Sequence, residues 1–418
     1  MAIIVILIAG LLFMIKFFKI KIMEPAGLYS IMWIVFIVGS ILFLREEYDF
    51  KYSGISWILV SCYIFIIVSR VVWSKKKNAI HTLSKEPVIP WKILVVIVIL
   101  AMCSVGYTMA MQGVSFNVFS DFVSLQNTAH MAAVDRYASN GEGGSLVSQI
   151  LGSFIYIAPI CCGYSYIFAK EKKEKLICFS SILPSIFSML LTSAKLSLIA
   201  FVMLFFIGFY VAYIFNKRYV PRVKTKTLVF VFSSALTLYA LFFLSFVLRI
   251  GSGEQNISKV ISTKLMIYAF GHIQGFDIWF AEYAFELEDY GILKHTFLAI
   301  SSKLGLSIKN QGVYGLISGS CTNVYTQFRS LIEDLGPVFA MIMLVIIFLI
   351  VYLLFYKLIY GKHTCVIEQT MFAANFFWLI YFIVSAWTYT TYLLTFVVFG
   401  LFLYISFHVK FVWGNRKE

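Results

Sequence analysis

Residues 196–249 read LSLIAFVMLFFIGFYVAYIFNKRYVPRVKTKTLVFVFSSALTLYALFFLSFVLR. Two apolar runs, 196–215 and 228–248, flank a short stretch that carries Lys217, Arg218, Arg222, Lys224 and Lys226. A bilayer's hydrocarbon core takes about 20 apolar residues as a helix, so each run is long enough to cross it. The basic stretch between them has the composition of a cytoplasmic loop.

The same pattern continues outward to both termini. Eleven apolar runs are predicted as spans: 1–15, 26–44, 55–73, 92–111, 146–168, 177–193, 196–215, 228–248, 337–359, 369–388 and 392–410. Every odd-numbered connection is basic. The first carries Lys16, Lys19 and Lys21, the third Lys75, Lys76, Lys77 and Lys85, the fifth Lys170, Lys172, Lys173 and Lys175, and the ninth Lys357 and Lys362, while Arg416 and Lys417 mark the C-terminus. Alternate loops sharing one sign fix an orientation: N-terminus outside, C-terminus in the cytoplasm. The expected fold is an all-α polytopic membrane protein, a single integral membrane domain over 1–418. Two outer connections are long, 112–145 and 249–336. The second, between spans 8 and 9, is expected to be partly helical, because 257–270 and 276–287 place apolar residues at helical spacing. Such helices lie on the membrane surface or dip in to cap a cavity.

Composition agrees. The chain is 61% hydrophobic with a formal net charge of +14, and its mean hydropathy is +0.89. A soluble domain could not hide that much apolar surface, whereas lipid accepts it. The positive charge sits in short loops beside spans, which argues for membrane lipid as its partner and against nucleic acid. Of the seven cysteines, only Cys321 falls in an exported region, so neither a disulfide framework nor a metal site is expected.

No soluble-enzyme motif is present: no G-x-S-x-G, H-E-x-x-H or phosphate-binding glycine loop. What remains is a set of cations at outer span ends: Arg136, Lys195, Arg249 and Arg329. An arginine fork binds phosphate in bidentate fashion and keeps its charge. Gathered round one outer cavity, these groups would grip a lipid-linked diphosphate; taken singly, each would contact lipid headgroups or snorkel. His272 is a candidate general base, since its ordinary pKa lies near neutrality, and equally a structural hydrogen-bonder. His295 and His130 lie on the same side and read as structural, and Glu254, Glu282, Glu333 and Asp334 are alternative bases. Trp279 and Tyr325 are candidate platforms for a sugar face.

At 322–336 the chain reads TNVYTQFRSLIEDLG. An Asn-x-Tyr-Thr-x-Phe run followed by Asp-x-Gly at the start of a span resembles the bacterial O-antigen polymerases, the Wzy-like oligosaccharide repeat-unit polymerases, which are related to O-antigen ligases. The order of spans, one dominant outer loop and Arg249-Ile250-Gly251 where it begins are similar as well. The resemblance implies a metal-independent glycosyltransferase without cofactor in a bacterial inner membrane. It would join undecaprenyl-diphosphate-linked oligosaccharide units, both donor and acceptor, for lipopolysaccharide O-antigen or a related surface polysaccharide, with a chain-length regulator protein as partner. Arg249 and Arg329 would hold the donor diphosphate, assisted by Arg136 and by Lys195, which stands where family members carry a Gly-Ser-Arg arginine. His272 would deprotonate the acceptor, and Asn323, Tyr325 and Trp279 would hold sugar. Alternatives are a flippase or transporter of the same lipid-linked oligosaccharides, and the ligase itself.

Overall fold

The computed structural model describes residues 1–44, 50–73, 86–138, 146–250, 257–286, 291, 294–306, 315–317, 320–322, 325–361 and 365–409. Asn323 lies outside them. The described residues are helical, apart from connecting turns and a short antiparallel hairpin, β1 (Gly315–Ile317) with β2 (Ser320–Thr322).

Among the described residues, nine helices are long and apolar enough to cross a membrane. They are α2 (Pro25–Leu44), α3 (Ser53–Trp73), α4 (Trp91–Met111), α6 (Leu146–Tyr166), the pair α7 (Lys172–Ser180) and α8 (Ile182–Thr192), α9 (Leu196–Lys217), α10 (Thr225–Ile250), α13 (Phe328–Tyr360) and α15 (Thr390–His408). The chain is therefore a polytopic membrane protein. Two expected spans are shorter as helices: α1 (Ala2–Phe17) has 16 residues and α14 (Val366–Ile380) has 15. At about 1.5 Å per residue neither reaches the roughly 30 Å of a hydrocarbon core by itself.

Tertiary contacts collect the basic loop ends at one face. Arg70 at the end of α3 meets Glu24, just before α2, at 2.9 Å. Tyr210 of α9 donates to the Met23 carbonyl. Arg218 donates to the Leu358 carbonyl of α13 at 2.6 Å, and Lys357 meets Glu368 of α14 at 2.9 Å. Val88, before α4, donates to Ser406 of α15 at 2.8 Å. At the other face the ends of α4, α8 and α10 meet under α5 (Phe122–Ala138) through Val105, Met109, Leu191 and Leu248. The first long loop thus carries a helix too polar to stand out by hydropathy. Its buried Leu125, Ala129 and Ala133 recur every four residues, a spacing that was there to be read.

Packing between spans depends on small residues, as expected where lipid tails remove the hydrophobic drive for association. A Cβ on Gly163 of α6 would stand 2.1 Å from the Phe205 carbonyl oxygen, and one on Gly208 of α9 would stand 2.1 Å from that of Ile160. These two positions let the helix backbones touch.

The segment 249–336 departs from expectation. Instead of two helices, on the surface or dipping in, 257–283 is one continuous helix, α11 (Ile257–Tyr283). Its middle, 271–277, is fully buried. The α11 helix does not cross from face to face. Its first half packs on the end of α10 away from the basic loops through Ile261, Leu265 and Phe246. Its second half ends on the start of α3: the Asp277 carboxylate accepts the backbone N–H groups of Lys51, Tyr52, Gly54 and Ile55 at 2.8–3.2 Å.

Candidate functional site

Two cationic stations stand along α11. The first is Lys195, at the tight turn between α8 and α9 where Ser193 takes the left-handed conformation with φ of 52°. Its ammonium lies 3.6 Å from the Phe246 ring centre and 5.3 Å from that of Tyr268. The quadrupole of each ring attracts the cation and leaves its charge in place. Arg249 closes α10 three residues beyond Phe246, and its carbonyl accepts from Nδ1 of His130 on α5 at 2.8 Å. The backbone of Arg136 continues α5; its side chain lies outside the described residues.

The second station is Arg329, in the first turn of α13. Its guanidinium sits 4.0 Å from the Tyr325 ring centre and 5.0 Å from that of Trp279. Nε donates to Glu333 at 2.8 Å, one helical turn on. The residue is only 9% exposed, and its Nη1 is buried without a hydrogen-bond partner. His295 approaches the other oxygen of Glu333 at 3.8 Å. Asp334 fixes this segment by accepting the backbone N–H groups of His295 and Thr296 at 2.8 and 2.7 Å. Past it, Gly336 breaks the helix with φ of 73° and ψ of 165°, a conformation reserved for glycine, and Pro337 starts the next stretch. The segment 328–335 is therefore a separate short helix from the span that follows.

Of the expected site residues, Arg329, Tyr325 and Trp279 come together. Lys195 and Arg249 belong to a different place. Tyr268 and Trp279, the α11 rings that serve the two stations, are eleven positions apart, about 16 Å along a helix. The cations thus occupy two stations rather than one hollow. The sequence showed each cation at a span end; it held no sign that a single helix would pass beneath both.

His272 lies apart from either station. It is 0% exposed, with its ring 4.8 Å from Phe36, 5.0 Å from Phe382 and 6.3 Å from Trp33. Burial among rings pushes its pKa well below the ordinary histidine value. A histidine so enclosed is a weaker base candidate than His295, which is half-exposed and faces a carboxylate.

Beside His272 the chain leaves regular structure. After Ile380 the backbone is unwound to Tyr389, apart from one tight turn at Ala386–Thr388. Its contacts hold it in place: Gln327 donates to the Leu379 carbonyl at 2.9 Å, Trp378 donates to Ser385 at 3.1 Å, and the Tyr392 hydroxyl donates to that of Tyr381 at 2.8 Å.

Among the described residues no group of three or more His, Cys, Asp or Glu side chains is arranged to hold a metal. Comparison with protein-family models, with characterised proteins and with solved structures returned no significant match.

Proposed function

We propose that this chain is a membrane glycosyltransferase that joins lipid-diphosphate-linked oligosaccharide units at the face opposite its basic loops. The observation that carries the proposal is Arg329: a guanidinium seated on two aromatic rings, held at Nε by Glu333, with a buried Nη1 left to donate. A phosphate oxygen is the acceptor such a fork fits. Phosphate held there also has its negative charge stabilised as it departs from the anomeric carbon. The separation of the stations suits two lipid carriers: Arg329 takes one diphosphate, and Lys195 with Arg249 and Arg136 takes the other. His295, oriented by Glu333, takes the acceptor hydroxyl's proton in place of His272. Tyr325 and Trp279 flank the sugar next to the phosphate, with Asn323 beside them in sequence.

The orientation proposed is the one that loop charge implies: basic ends in the cytoplasm, 112–145 and 249–336 in the periplasm, and about eleven crossings with α1 and α14 as the short ones. The membrane would be a bacterial inner membrane. The lipid carrier is taken as undecaprenyl diphosphate, with a chain-length regulator protein as partner, on the strength of the resemblance at 322–336.

Deletion of the gene, followed by electrophoresis of surface polysaccharide, tests the proposal. A polymerase deletion leaves single repeat units attached to their anchor; a ligase deletion leaves none. A second reading, the flippase, is favoured by the unwound 381–389 segment and the Gly336 break, because transporters carry broken helices at their substrate sites. Under that reading, deletion strands lipid-linked units on the cytoplasmic side and nothing is attached.

A further inference from the structure

Four histidines fall among the described residues. His130 and His408 each bond a backbone carbonyl through Nδ1, and His272 is enclosed by rings. His295 differs: its backbone is pinned while its ring stands half-exposed beside a carboxylate. The pinning has three sources. Asp334, itself 1% exposed, accepts the backbone N–H of His295 at 2.8 Å through one oxygen and that of Thr296 at 2.7 Å through the other. Ser385 donates to the Thr296 carbonyl at 3.5 Å. The Phe297 ring lies parallel to that of Trp387, with centres 6.5 Å apart. Two consecutive residues of the short helix 328–335 thus divide one histidine between them. Asp334 holds its backbone, and Glu333 faces its ring, Oε2 standing 3.8 Å from Nδ1. The other Glu333 oxygen accepts from Arg329 Nε at 2.8 Å.

We infer that Asp334 is a positioning residue: by fixing the backbone at 295 and 296 it turns the His295 imidazole with Nδ1 toward Glu333 and leaves Nε2 to act. A buried carboxylate that merely anchored a loop could sit anywhere along it. This one stands next in sequence to the residue that faces the anchored ring. It also shares a short helix with the guanidinium whose Nη1 is buried without a partner. A neutral imidazole carries one proton, and its surroundings choose the nitrogen. At 3.8 Å the Glu333 charge, rather than a closed hydrogen bond, favours the proton on Nδ1. The lone pair is then on Nε2, where a general base needs it. A histidine ring free in water favours the opposite tautomer. That the ring takes a proton from an acceptor hydroxyl rests on the function proposed above, whereas its mounting by Asp334 does not.

Imidazole nitrogen NMR of the full chain, with labelled histidine, in lipid nanodiscs reads the tautomer at a pH that keeps the ring neutral. The His295 signal is the one missing from His295→Gln. Wild type should carry the proton mainly on Nδ1. Asp334→Asn keeps the size and offers one acceptor in place of two. It should return His295 to the mixture of free histidine although Glu333 is still present. Asp334→Glu keeps the charge, moves it by one methylene and should fall between; it decides the matter if the Asn variant does not fold. A free-histidine mixture in wild type, or the Nδ1–H form retained in the folded variants, overturns the inference. A carboxylate that merely anchors the loop would change stability and leave the tautomer alone. Polymer formation separates the mounting from the reaction. Asp334→Asn should lower kcat by roughly 10- to 100-fold with KM little changed. Loss of the Nδ1–H form with an unchanged rate leaves the mounting standing and removes His295 from the proposed reaction.

Discussion

The two faces of the molecule place their charges differently. At the basic face, cations pair with carboxylates: Arg70 with Glu24 and Lys357 with Glu368. At the other face, Asp277 and Asp334 accept backbone N–H groups instead, and Lys195 and Arg329 rest on aromatic rings. A cation paired with a carboxylate is neutralised, whereas an aromatic ring attracts a cation without cancelling its charge. Arg329 shows both treatments in one group: Glu333 takes Nε and steers the guanidinium, while Nη1 remains uncommitted. On the function proposed above, one face is closed by its ion pairs and the other takes the substrate.

The largest effect is expected where closure is broken. Glu24→Ala leaves Arg70 with no counter-charge in a largely buried site and costs about 3 kcal/mol, which thermal unfolding in nanodiscs measures. Removing both partners, Glu24→Ala with Arg70→Met, recovers most of that loss. If the single and double variants unfold alike, the pair is not what closes the basic face.

At the receiving face the effect moves from stability to activity. Arg329→Ala is expected to lower polymer formation by roughly 100-fold, the usual scale for losing one pre-set donor to a transition-state charge. It also leaves Glu333 without its counter-charge and lowers the unfolding temperature, so activity is compared at equal amounts of folded protein. Arg329→Lys, which keeps the charge and loses the fork, should recover little. Full recovery by lysine would show that a point charge is enough.

Asp277→Ala removes the acceptor of four backbone N–H groups and is expected to cost about 2 kcal/mol. Because Asp277 ties α11 to α3, protease or hydrogen-exchange sensitivity should rise in α11 and at the start of α3 while α6 and α9 stay protected. The smallest effect is expected for Lys195→Met, which keeps the ring contact and loses the charge. About tenfold weaker activity, fading as salt is raised, would mark a partly screened electrostatic role. An effect as large as that of Arg329→Ala would give the two stations equal weight.

Much of this arrangement was legible in the residues. Loop lysines and apolar runs marked the spans around 196–249, because hydropathy and charge are properties of side chains that survive any folding. Arg329, Tyr325 and Trp279 were legible as a group of the right chemistry on one long segment. The course of α11 was not, since the residues that bury it (Phe270, Phe276, Phe280) look the same whether they meet lipid or protein. The break after Ile380 was hidden for a related reason: Ala386 and Trp387 are as apolar as any span, and hydropathy is blind to where the backbone unwinds. The enclosure of His272 also depends on Phe36 and Phe382, residues far from it in sequence.

The most direct measurement is the affinity of purified protein in nanodiscs for undecaprenyl diphosphate. The wild type should bind it, Arg329→Ala should weaken binding at least about tenfold, and Lys195→Met should weaken it less. Equal affinity for wild type and Arg329→Ala would contradict the assignment of that guanidinium to a phosphate, and with it the account of the receiving face.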